Sequence, residues 1–138
     1  MTPHGPRVAI VTRLEGRGDL ESLAFLLSCT QAINERWLSL HPEVPGLYSS
    51  GIVYRREPRG GRDTAENEER FLTWPSLLIE RCGDCDDLAP AFAAELVVRH
   101  GIAAQAVPYP TARGFHVVVL CPDGTVFDPS ADLGMVRR

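Results

Sequence analysis

Two stretches of the chain carry helical periodicity. From Leu20 to about Leu40, apolar residues recur at Leu20, Leu23, Leu27, Ile33, Trp37 and Leu40, with Leu26 beside them. That spacing predicts one long helix closed by His41-Pro42, with Asp19 standing where its N-cap belongs. The second stretch begins at Cys85 behind Asp84, another N-cap residue. Leu88, Phe92, Leu96 and Arg99 fall on one side, Ala93 and Ala94 permit close packing, and His100-Gly101 supplies the stop. Pro90 deletes the bond to the Asp86 carbonyl and crowds that turn, which predicts a kink or an irregular first turn.

Strand patterns fill the flanks. Residues 7–13 are β-branched and bounded by charge, ending at Gly16 and Gly18, and Gly51-Ile52-Val53-Tyr54-Arg55 is short and extended in character. Residues 102–107 and 115–120 read as strands separated by a loop over residues 108–114. Cys121-Pro122-Asp123-Gly124 is a tight-turn signal leading into a third strand from Thr125. Residues 1–6 read as a loose lead-in, residues 57–69, with Pro58, Gly60, Gly61 and a charged run, as a surface loop, and residues 77–81 as one or two helical turns. The chain is expected to form a single domain over residues 1–138.

Composition narrows the function. A net charge of −4 with interspersed signs offers no basic stripe, so no nucleic-acid partner is expected. All 14 basic residues are arginine, which removes lysine nucleophiles and Schiff-base chemistry. Cys29, Cys82, Cys85 and Cys121 read as reduced thiols, with Cys29 a small buried hydrophobe inside the first helix. The first seven residues lack an apolar signal region, and no run approaches the ~18 apolar residues of a membrane span. The expectation is a soluble cytoplasmic protein with no membrane partner.

The chemistry concentrates in Cys82-Gly83-Asp84-Cys85-Asp86-Asp87. A helix starting at Cys85 aims its unpaired N–H groups at the sulfur and favours thiolate, while the neighbouring aspartates push the other way. Downstream, His116 and Asp128 complete a Cys, His, Asp order suited to a nucleophile, its base and an orienting acid. The Pro-Asp-Gly turn pairs Cys121 with Thr125 and hence Val118 with Asp128. His116 shares the face of Val118, and such diagonal neighbours lie about 7–8 Å apart. A slip of one residue separates them.

Two other readings use the same cysteines. Cys82 and Cys85 form C-x-x-C at a helix start, as in thiol–disulfide sites, although residues 76–81 read as helix and not as the strand of a thioredoxin-like unit. Adding His116 and Cys121 makes a three-cysteine, one-histidine zinc set, whose last two members fall on opposite faces of a strand. The favoured site holds no metal and no cofactor.

Gly83-Asp84-Cys85-Asp86-Asp87-Leu88-Ala89, the segment Arg99-His100-Gly101-Ile102-Ala103-Ala104, Phe115-His116-Val117 and Phe127-Asp128-Pro129 together resemble the transglutaminase-like superfamily of cysteine enzymes. The resemblance covers residues 74–135, and the earlier helix weakly. Leu47-Tyr48-Ser49-Ser50-Gly51-Ile52-Val53-Tyr54 and Pro122-Asp123-Gly124 with Asp128-Pro129-Ser130 are similar to small transglutaminase-like proteins of tailed phages and prophages.

The resemblance implies an α+β fold with a papain-like, transglutaminase-like core, in which the nucleophile helix packs on an antiparallel sheet. It implies Cys85 as nucleophile, His116 as general base and acid, and Asp128 as the imidazole-orienting carboxylate. One oxyanion donor is then the Cys85 backbone N–H, and the second an upstream side chain, Tyr54 first, with Trp74 and Gln31 behind it. The implied reaction is acyl transfer from an amide through a thioester, with peptidase, amidase or deamidase activity ahead of cross-linking. Its partners are a protein or peptide substrate. The alternative is a fold kept without chemistry, serving among phage structural proteins in virion assembly.

Overall fold

The computed structural model describes residues 9–13, 20–56, 68–112 and 114–136. In chain order these form strand β1 (Ala9–Arg13), helix α1 (Leu20–Leu40), a 3-10 turn (Leu47–Ser49), β2 (Val53–Tyr54), β3 (Glu68–Leu72), α2 (Trp74–Glu80), β4 (Cys82–Gly83), α3 (Cys85–His100), β5 (Gln105–Thr111), β6 (Gly114–Leu120), β7 (Val126–Phe127) and α4 (Pro129–Asp132). The lead-in, the Gly16/Gly18 stop, the Asp19 cap and most of the charged loop lie outside the described residues. The architecture is α+β. No helix among the described residues is long and apolar enough to cross a membrane.

Helix α3 is the core of the fold. Every residue from Asp87 to Leu96 is buried, so its surface is covered nearly all the way round, which its many alanines permit. Helix α1 packs along it, and the antiparallel sheet β5-β6-β7 packs against both helices. The first turn of α3 is regular, with Leu88 N–H donating to the Asp84 carbonyl at 2.9 Å, and the helix runs through Pro90 without interruption. Of the kink or irregular first turn expected from Pro90, the irregular first turn does not form. The bonds that close that turn run to the Asp84 carbonyl, whereas the missing Pro90 N–H would have served Asp86.

The buried stripe of α1 is not the apolar one read from the sequence. Leu23, Leu27, Thr30, Gln31, Asn34 and Leu38 face inward, whereas Ile33 and Leu40 are 39% and 58% exposed and Cys29 is only partly buried. Thr30 donates to the Leu26 carbonyl of its own helix at 3.0 Å, whereas Gln31 and Asn34 serve backbone groups of distant segments. Gln31 donates to the Ala104 carbonyl at 2.9 Å and accepts from the Ala106 N–H at 3.0 Å, acting as a side-chain partner for the free edge of β5. Asn34 accepts from the Trp74 N–H at 2.8 Å, at the start of α2.

The same edge explains why Pro108 and Pro110 lie in a strand and not in the expected loop. Ala106 turns its N–H away from β6, toward Gln31, and Pro108 and Pro110 share that orientation, where a missing N–H costs no ladder bond. β5 therefore runs on to Thr111, paired with Gly114. Two strands escaped the sequence reading. β3 pairs antiparallel with β1 and takes the last two residues assigned to the charged loop, and β4 pairs in parallel with β2. Helix α2 starts earlier than expected, at Trp74, with Pro75 in its first turn.

Candidate active site

The start of α3 is locked by its aspartates. Asp84 is the N-cap, its Oδ1 accepting from the Asp86 N–H at 3.1 Å, while Asp87 Oδ2 reaches back to the Asp84 N–H at 3.1 Å, a capping box with aspartate in the third position. Asp87 Oδ1 also accepts from the Leu72 N–H at 2.7 Å, pinning β3 to the helix start. Burial pushes the Asp87 carboxyl well above the usual carboxylate range, partly opposed by these hydrogen bonds.

Cys85 occupies the first position of α3 and is partly buried. Its thiol lies 3.8 Å from Asp86 Oδ1 and takes a hydrogen bond from the Val117 backbone N–H. The register explains that contact. Cys121 N–H donates to the Thr125 carbonyl at 2.9 Å and Val119 pairs with Phe127, so alternate residues of β6 turn their N–H groups toward β7. Val117 shares that orientation, but the chain has left the sheet into α4 by then, and the Cys85 sulfur meets the orphaned N–H. Burial pushes the thiol far above the ordinary range, and Asp86 and Asp84 add to the shift. The helix end does not prevail, so the thiolate expected from it is a neutral thiol in the resting site.

His116 and Asp128 come together as the turn requires. His116 Nε2 lies 2.9 Å from Asp128 Oδ2, with the side chains 12% and 14% exposed. Asp128 is also the N-cap of α4, its Oδ1 accepting from the Ala131 N–H at 3.2 Å, so both carboxylate oxygens are held. A carboxylate at Nε2 keeps the proton there and leaves Nδ1 as the acceptor. Tyr109, opposite His116 on β5, packs edge-on against the imidazole with ring centroids 5.5 Å apart. Among the described residues, His116 and Cys85 form no direct hydrogen bond; the thiol sits at the next residue of the strand.

The structure separates the oxyanion candidates. Trp74 Nε1 donates to the Ala91 carbonyl at 3.0 Å and Gln31 is committed to β5, so neither has a donor to spare. Burial raises the Tyr54 hydroxyl above the ordinary tyrosine range, and Cys85 and Asp84 add to the shift, which places Tyr54 beside the thiol. Among the described residues that hydroxyl makes no hydrogen bond. Sequence reasoning missed the tether of α4: Tyr48 Oη donates to Asp132 Oδ2 at 2.7 Å, and Tyr54 N–H donates to the Leu133 carbonyl at 3.0 Å. Both donors belong to the Leu47-to-Tyr54 motif, which was its only sequence signal.

All four cysteines are free, and among the described residues no three His, Cys, Asp or Glu side chains gather as a metal group. The segment before the cysteines is helical as expected, in α2, and Cys82 lies in the two-residue strand β4 between α2 and α3. Fold and site thus define an α+β domain whose helix-start thiol meets a sheet bearing a histidine–carboxylate pair. No protein-family model, curated protein or solved structure matches the chain.

Proposed function

We propose that this protein is a transglutaminase-like cysteine hydrolase with a papain-like core, cleaving an amide through Cys85, His116 and Asp128. The observation that carries the reading is the 2.9 Å His116–Asp128 pair on the strand whose next backbone N–H meets the Cys85 thiol. A neutral thiol assigns His116 the part of general base: Nδ1 takes the Sγ proton as sulfur attacks the amide carbon. The oxyanion is received by the Cys85 N–H and the Tyr54 hydroxyl. His116 then passes the proton to the amide nitrogen, the C–N bond breaks, and a thioester remains. Water, deprotonated by His116, attacks that thioester, and the departing sulfur regains its proton. Free cysteines fit a reducing compartment such as the cytoplasm.

The test uses an activated ester, p-nitrophenyl acetate, with mass spectrometry of the labelled peptides. The reading predicts acetyl transfer to Cys85 ahead of Cys29, Cys82 and Cys121, reversed by hydroxylamine as a thioester must be. Indiscriminate or absent labelling contradicts it. A second reading, a fold retained as a phage structural or assembly protein, draws on the buried neutral thiol and is favoured by that contrary result.

A further inference from the structure

A cleft of about 190 Å³ lies beside the nucleophile helix, with Gly83 and Asp84, the residues immediately before Cys85, in its wall. Arg55, Arg56 and Arg70 also line it. Arg70 faces Glu80 at 3.8 Å, whereas Arg55 and Arg56 are exposed and form no ion pair among the described residues. The other acids of the wall are engaged elsewhere: Asp84 caps α3, and Asp87 is buried against the backbone N–H groups of Leu72 and Asp84. Arg55 and Arg56 are thus the guanidinium groups of the wall that no ion pair among the described residues engages. The Arg55 N–H donates to the Gly83 carbonyl at 2.8 Å, which fixes the base of that side chain against the wall.

The size restricts the occupant. Sites for whole small molecules begin at roughly 300 Å³, so this cleft suits one side chain or a chain end. Guanidinium groups bind planar carboxylates in paired hydrogen bonds. Asp84 directly precedes Cys85, so the wall of the cleft begins at the residue next to the thiol. We infer that this cleft is a subsite for a carboxylate carried by the acyl donor close to its scissile amide, an acidic side chain or a chain terminus. Its meaning as a substrate subsite rests on the acyl-transfer reading; the binding itself does not.

The experiment is a titration of ¹⁵N-labelled protein with N-acetylglutamate, N-acetylglutamine and inorganic phosphate, following the backbone amides of Arg55, Gly83 and Asp84. Saturable shifts are expected with the glutamate compound, at least tenfold weaker binding with the amide, and loss of the shifts in Arg55→Gln/Arg56→Gln, whose exposed side chains can change without unfolding the domain. No shifts, equal binding of acid and amide, shifts that survive the double substitution, or tighter binding of phosphate than of carboxylate would each overturn the inference. Because no turnover is read, an inert Cys85 with intact glutamate binding fails the acyl-transfer reading alone, and an active Cys85 without binding fails only this one.

Discussion

The Cys85 thiol meets the backbone N–H of Val117 at the point where the neighbouring strand has turned away into α4. The sulfur thereby stands in for a strand partner, one residue along from His116. A burial that makes the contact also suppresses ionisation, so the resting site stores a neutral thiol.

That suppression gives a signed prediction for Asp86. Its carboxylate, after burial itself, raises the thiol, so Asp86→Asn lowers the value and enlarges the thiolate fraction at neutral pH. Each pKa unit recovered enlarges the thiolate fraction at pH 7 by about tenfold, and because a less basic thiolate is a weaker nucleophile, iodoacetamide alkylation of Cys85 speeds by about three- to fourfold. Peptide mass spectrometry of parent and variant reads the rates, and an equal or slower rate in the variant refutes the electrostatic account.

Tyr54→Phe separates charge stabilisation from nucleophilicity. If the hydroxyl receives the oxyanion, its loss slows Cys85 acylation by about 10²–10³ while alkylation by iodoacetamide, which forms no oxyanion, hardly changes. Equal effects on both reactions would place Tyr54 in thiol positioning instead.

Asp87→Ala leaves the Leu72 and Asp84 N–H groups without their acceptor inside the core. At about 1–3 kcal/mol for each orphaned donor, the loss on urea unfolding comes to about 2–6 kcal/mol. The pH dependence has a definite sign. The folded carboxyl binds its proton more tightly than the unfolded one, so this stabilisation is complete below about pH 4 and is lost as pH rises through the folded value. The cost of Asp87→Ala is accordingly larger at pH 5 than at pH 8; a loss independent of pH contradicts the buried-acid assignment.

What the sequence made legible was local. Asp84 and Gly101 cap α3 where their residue types placed them, and the Cys121-to-Gly124 turn fixed the β6–β7 register that brings His116 to Asp128. What it hid depended on distant partners. Gln31 and Asn34 fall outside the apolar stripe of the first helix, and the groups they serve lie 73 residues away at Ala104 and 40 away at Trp74. The two prolines of β5 read as a loop until the free edge of the sheet was in view, and the pairing of β1 with β3 reaches across α1, β2 and the charged stretch. The ionisation of Cys85 was legible only as a contest between helix end and acids, and burial, which the sequence does not display, decided it.

The most direct test of the site measures Cys85 acylation by p-nitrophenyl acetate in the parent, His116→Ala, Asp128→Ala and the double variant. Loss of the base is expected to cost about 10²–10⁴ in rate. Groups that act as a unit are non-additive, so the double variant should be no slower than His116→Ala alone. An acylation rate indifferent to His116→Ala, or losses that simply multiply in the double variant, would contradict a shared catalytic site.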